Sequence, residues 1–174
     1  MIYKSMNLNV NQISKIKKLL SNQSPGYLPY QLFIEFSKFI VVPIIEVVPL
    51  CKNIDGEIKV LLLKRPSDDL FWPNKLHTPG TIVRVDDLSL NDAFDRIKNE
   101  IGTTTTNPPA FFQNCYRVSE RSKEMAMCYW IELNEHEKTN GEWYKSNDLP
   151  PDIVSNQITL IQKAMEFYKA NKKS

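Results

Sequence analysis

Residues 77–102, HTPGTIVRVDDLSLNDAFDRIKNEIG, constrain this chain more than any other stretch. They read as a loop, a short strand (TIVRV), a tight acidic turn at Asp86-Asp87, and one helix. Ser89 stands where a helix N-cap belongs, and Asp92 follows three residues later as its capping-box partner. Gly102 is the residue type that ends a helix in the left-handed conformation. A strand that turns sharply into a capped helix brings one helix face beside the strand end. Side chains four apart share such a face, so Arg96 and Glu100 lie together on it.

Upstream, Val10, Ile13, Ile16, Leu19 and Leu20 recur at helical spacing and predict an amphipathic helix over 9–20. SNQSPG breaks it. Pro29 sits where a second helix begins, and Leu32, Phe33, Phe36 and Phe39 form its stripe. Such stripes serve a core or a homodimer surface, and the sequence leaves both open. From Val41 the texture changes. VVPIIEVVPLC is β-rich, with prolines that predict an edge position or bulges. KNIDGE supplies a turn and IKVLLLKR a second strand, so the two form a hairpin. PSDDLFWPNKLHTPG is a Pro-rich loop. Beyond Gly102, AFFQNCYRVS and EMAMCYWIEL are strands joined by a charged turn, and GEWYKSNDLP is a short strand running into a turn. SNQITLIQKAMEFYKA closes the chain as a helix, with Ile158, Ile161, Ala164, Met165 and Tyr168 on one face. This order predicts an α+β fold: a central mixed sheet flanked by helices. Residues 1–40 form an N-terminal two-helix extension and 41–174 the main domain.

Hydrophobic content of 42% and 24% charged residues suit one domain with a real core. The net charge of +2 is too small to argue for a nucleic-acid or membrane partner. Lys15, Lys17 and Lys18, and again Lys169, Lys172 and Lys173, read as solvated faces. Cys51, Cys115 and Cys128 are odd in number, lack metal-ligand spacing and sit in apolar strand-like runs. They read as buried free thiols of a reducing, cytoplasmic setting. No apolar run approaches the ~18 residues of a membrane span.

Cleaving a diphosphate requires neutralising phosphate charge and positioning a water. Mg²⁺ (or Mn²⁺) does this on hard oxygen ligands, chiefly carboxylates presented three and four apart on a helix. Residues 77–102 resemble the Nudix box of that hydrolase superfamily, G-x5-E-x7-R-E-U-x-E-E-x-G-U. Anchored on Gly102, Glu100 matches the last box Glu, while Asn99, Arg96 and Asp95 occupy the other Glu, Glu and Arg places. Asp87 takes the first acid and Gly80 the surviving box glycine, with Thr81 beside it. Asp86-Asp87, Ala93-Phe94-Asp95-Arg96 and Glu100-Ile101-Gly102 are similar to the box of the GDP-mannose mannosyl hydrolase sub-group, with one residue fewer between Arg96 and Glu100. LLLKRP, FWPNKLHTPG and GEWYKSNDLP extend the resemblance over about 42–168.

The resemblance implies a Nudix-like α/β/α sandwich and a metal-dependent hydrolase of a nucleoside diphosphate linked to another group, such as a nucleotide sugar. It implies a metal ion on Asp87, Glu100 and the Gly80 carbonyl. Arg96 becomes a diphosphate-binding group, bidentate and permanently charged. Lys64, Arg65 and Arg84 are phosphate candidates at the strand ends. His136, in the loop NEHEKTN, is a candidate base beside Glu100, competing with Glu135 and Glu137. His77 reads as a structural group that hydrogen-bonds its loop. The lost carboxylates motivate a second expectation: a fold that binds a nucleotide or protein without turnover.

Overall fold

The computed structural model describes residues 8–23, 28–53, 55–145 and 147–171. Lys172, Lys173 and part of the SNQSPG breaker lie outside them. Its elements run α1 (Val10–Ser21), α2 (Tyr30–Ser37), β1 (Val41–Lys52), β2 (Ile58–Lys64), β3 (Leu76–His77), β4 (Gly80–Ile82), α3 (Leu90–Ile101), β5 (Ala110–Val118), β6 (Lys123–Glu132), β7 (Glu142–Lys145) and α4 (Ser155–Asn171). One mixed sheet has the order β3-β2-β1-β6-β5, with β4 added to β1 and β7 to β2. The hairpins β1–β2 and β5–β6 are antiparallel, and β1 runs parallel to β6 over Val41–Leu50.

Alternate residues of β1 serve opposite cores. Val42, Ile44, Val48 and Leu50 pack toward α4 with Ile161, Ala164, Met165 and Tyr168. Ile45 and Val47 pack under α3 with Ala93, Ile97 and Ile101. The result is the helix–sheet–helix sandwich that the element order predicted.

The edge position predicted for the Pro-containing first strand is wrong. β1 is central, bonded to β6 on one side and to β4 and then β2 on the other. The prolines survive because of where their missing N–H groups would point. Leu50 O accepts from Leu133 N on the β6 side. By alternation, Pro43 and Pro49 face the opposite edge. There β4 pairs with Ile44–Glu46 and β2 with Leu50–Lys52. Pro49 falls in the gap between the two partners, and Pro43 lies opposite Val83, just past β4, where its carbonyl accepts from Val83 N at 3.0 Å and only the return bond is forgone. The short strand predicted as TIVRV is also displaced, and β4 covers only Gly80–Ile82. Gly80 lets the strands approach closely: a Cβ there would lie 3.0 Å from Ile45 O, and the β1 backbone would have to give way.

The two N-terminal helices differ. α1 is capped by Asn9 and Gln12, yet buries no residue. α2 lays Phe33 against the α4-side core, and Ser37 is buried at its end. Of the three free thiols, Cys51 and Cys128 are buried as predicted, whereas Cys115 is half-buried, its Sγ 3.7 Å from Cys128 Sγ. No helix among the described residues is long and apolar enough to cross a membrane.

Candidate active site and ligand recess

The α3 segment folds as its caps direct. Ser89 Oγ accepts from Asn91 N at 3.2 Å, and Asp92 Oδ2 accepts from Ser89 N at 3.0 Å. Gly102 adopts φ 78°, and Asn140, from the loop before β7, donates to Glu100 O at 3.0 Å to close the C-terminus. The same loop holds Glu137, which accepts from Thr103 Oγ1 (2.6 Å) and Thr104 N (2.8 Å).

Arg96 and Asp87 form a clasp across the start of this segment. Arg96 donates to both Asp87 oxygens, its Nη2 at 2.9 Å from Oδ2 and 3.1 Å from Ile82 O. Asp87 Oδ2 also accepts from Arg84 N at 2.8 Å. The bond from Arg96 holds the Asp87 carboxyl down at about 2, a carboxylate at any working pH. Both groups are thereby committed to fixing the β4–α3 turn.

Glu100 stands apart from them, as the penultimate residue of α3. Burial pushes its carboxyl up to about 7, while the Arg65 charge and the Gly80 N–H oppose the rise. His77 Nε2 lies 3.9 Å from Glu100 Oε1. His77 Nδ1 sits 2.8 Å from Thr78 O and donates to it, so Nε2 presents a lone pair toward Glu100. Burial first, then Arg65, pushes the imidazole down to about 4 and keeps it neutral near pH 7. His77 therefore holds its loop and also faces the candidate base.

Arg65, at the end of β2, is fixed by Asp69 through Nε (2.9 Å) and Nη2. Asp69 in turn accepts from Phe71 N and Trp72 N at 3.0 and 2.8 Å, which shapes the loop. Two guanidinium groups lie over the Trp72 ring, Arg65 at 5.4 Å and Arg121 at 5.8 Å from its centre. Arg121, in the β5–β6 turn, pairs with Glu124 at 2.6 Å. Arg117, on β5, bridges Glu124 at 2.7 Å and Glu46 at 2.5 Å. Gln157, at the start of α4, donates to Glu46 Oε1 at 2.6 Å and accepts from Thr78 N at 2.8 Å. Burial pushes the Glu46 carboxyl up against the pull of Arg117.

Glu46, Arg65, Trp72, Arg117, Arg121 and Gln157 line one recess, partly open to solvent, with His77 and Gly80 on its wall. Glu100 is linked to that wall through His77, Gly80 and Arg65.

Of the residues singled out in the sequence, Glu100, Gly80 and Arg65 come together. Lys64 and Arg84 are exposed. His136 is exposed in the loop that caps α3, and no hydrogen bond or ion pair among the described residues joins its imidazole to Glu100. Glu135 pairs with Lys59 and Glu137 caps the threonines. Sequence reasoning missed Glu46, Trp72, Arg117, Arg121 and Gln157. One signal was present for Glu46: a lone acid inside the apolar run VVPIIEVV.

The magnesium set implied by the Nudix resemblance does not assemble here. Asp87 spends its oxygens on Arg96 and Arg84 N, and it is the Gly80 N–H, not its carbonyl, that acts on Glu100. No cluster of three or more His, Cys, Asp or Glu side chains occurs among the described residues. Mg²⁺ demands several hard oxygen ligands. Glu100 offers one carboxylate, beside an imidazole nitrogen and a guanidinium charge, and that donor set does not fit a magnesium cluster.

No family model matches the chain, and no curated protein matches its sequence. Solved structures match its fold. The NUDIX domain of Shewanella oneidensis NrtR, complexed with ADP ribose, aligns with a TM-score of 0.61 at 17% identity, covering 87% of this chain and 97% of that one. C. elegans Ap4A hydrolase aligns at 0.57 and 17% identity, covering 74% and 99%. The C-terminal domain of mouse MUTYH, solved with human PCNA, aligns at 0.58 and 12% identity, covering 75% and 91%. At these identities the likeness establishes the fold, which is the Nudix fold.

Proposed function

We propose, with the Nudix fold as premise, that the chain is a hydrolase of a nucleoside diphosphate carrying a second group, a nucleotide sugar or a relative such as ADP-ribose. One observation carries this reading: Glu100, whose carboxyl burial pushes up to about 7, faces His77 and Gly80, two residues of an arginine-lined recess. A base poised near the working pH combines a usable ionised fraction with enough basicity to accept a proton from water. Arg65 is the cation whose charge acts on Glu100, and a guanidinium is suited to meet phosphate oxygens bidentately. Lys64 and Arg84 are free to add to it from the surface. Arg96 supports the turn through Asp87 rather than the leaving diphosphate, and His136 contributes from its loop only if that loop moves onto the ligand.

The test is a product-resolved hydrolysis screen of nucleotide sugars, ADP-ribose and dinucleotides, with and without Mg²⁺ or Mn²⁺. Nucleoside diphosphate plus free sugar means cleavage of the sugar–phosphate linkage, at carbon if oxygen from labelled water enters the sugar and at phosphorus if it enters the diphosphate; nucleoside monophosphate plus sugar phosphate means attack at phosphorus within the diphosphate. Glu100→Gln should abolish turnover, and retained turnover sinks the assignment.

The Arg96–Asp87 clasp favours a second reading, a Nudix-fold module that binds the same ligands without turnover. Saturable binding by folded protein that releases no product decides for it.

A further inference from the structure

We infer that this site takes its ligand's diphosphate on guanidinium groups and needs no divalent ion; the inference rests on the nucleotide reading above. In the box helix, Arg96 and Asn99 stand where acids would gather cations, and the acid at Asp87 is consumed by Arg96. The recess near Glu100 is instead lined by three arginines (Arg65, Arg117, Arg121) and one glutamate, Glu46. Asp69 and Glu124 are not part of its lining. They hold Arg65 and Arg121, and both guanidinium groups lie over the Trp72 ring. The arginines are thus oriented before any ligand arrives, which lowers the ordering cost of binding.

They also keep donors in reserve. Arg65 uses Nε and Nη2 on Asp69, and its Nη1 makes no hydrogen bond among the described residues. Arg121 uses Nη2 on Glu124, and its Nη1 likewise makes none. Two guanidinium groups with unused N–H donors on one wall suit the adjacent oxygens of a diphosphate. Arg65 is the cation whose charge reaches Glu100, so a diphosphate held on its guanidinium and a cation held on Glu100 compete for one place.

The experiment is calorimetric titration of the full chain with ADP-ribose, and with inorganic pyrophosphate, in chelator and in Mg²⁺. Equal affinity in the two buffers is expected, together with a loss of roughly tenfold or more for Arg65→Ala in chelator. Arg65→Lys, which keeps the charge without the fork, should fall between them and serves if the alanine variant does not fold. Pyrophosphate should compete with ADP-ribose in chelator. Binding that appears only with Mg²⁺, or collapses on chelation, overturns the inference and leaves the nucleotide reading standing. No binding in either buffer, from folded protein, overturns both. Metal-free binding indifferent to Arg65→Ala and Arg65→Lys overturns the assignment to this recess.

Discussion

Replacing Glu100 with Gln keeps the side chain's shape and removes its charge. In the folded protein, burial raises this carboxyl from 4.5 to about 7. The folded state therefore keeps a proton that the unfolded chain releases near pH 4.5. The resulting stabilisation is fully present below that pH and is lost as pH rises through about 7. At about 1.36 kcal/mol per pH unit, the ceiling on this loss is about 3.4 kcal/mol. The side chain is 39% exposed, so solvent screening cuts the figure by half or more, to roughly 1–1.5 kcal/mol. A domain of this size melts about 2–4 °C higher per kcal/mol. Glu100→Gln should thus melt about 2–6 °C above wild type at pH 8 and level with it near pH 4.5. His77, held low by burial, contributes with the opposite sign, its stabilisation lost as pH falls from 6.5 through about 4, but both proteins contain it. The assay is a series of thermal melts from pH 4.5 to 8 in chelator. A variant no more stable than wild type at pH 8, or a gap that widens toward acid, refutes the burial argument for this carboxyl.

Three further outcomes follow from the same geometry. If Glu100 is the base, turnover should climb with pH through about 7, where that carboxyl ionises; a rate flat from pH 5 to 8 excludes it as the titrating group. Arg117→Met leaves two buried carboxylates, Glu46 and Glu124, short of their shared cation and should cost about 3–5 kcal/mol in urea unfolding; a loss under about 1 kcal/mol would show that the pair is better solvated than the structure places it. Gly141→Ala would put a Cβ 2.5 Å from Leu62 O, so β7 must shift off β2, and a wild-type melting curve would contradict that packing.

Local physics made much of this fold legible. The capping residues Ser89 and Asp92, the C-terminal Gly102 and the turn that joins β5 to β6 are interactions within a few residues of one another, and all formed as read. The position of β1 was not legible. A proline's cost in a sheet depends on which edge its nitrogen faces and on whether a partner stands there, and that is settled by the distant strands β2 and β4. The site divides the same way. Glu100 was readable from its spacing to Gly102, but its partner His77 and its cation Arg65 come from the loop and strand that precede the helix.

The sequence by itself determined the element order, the capped helix, the mixed-sheet sandwich and the shortage of carboxylates in the box, because caps, turns and apolar period act over short range. Only the tertiary structure decided what the surviving charges do. It joined Asp87 to Arg96 across nine residues, gathered Arg65, Arg117 and Arg121 from three elements around one recess, and left Glu100 near His77 with its proton held to about pH 7. Charge–charge energies depend on distance and burial rather than on order along the chain, so a cation-rich site assembled from separate strands leaves no motif to read.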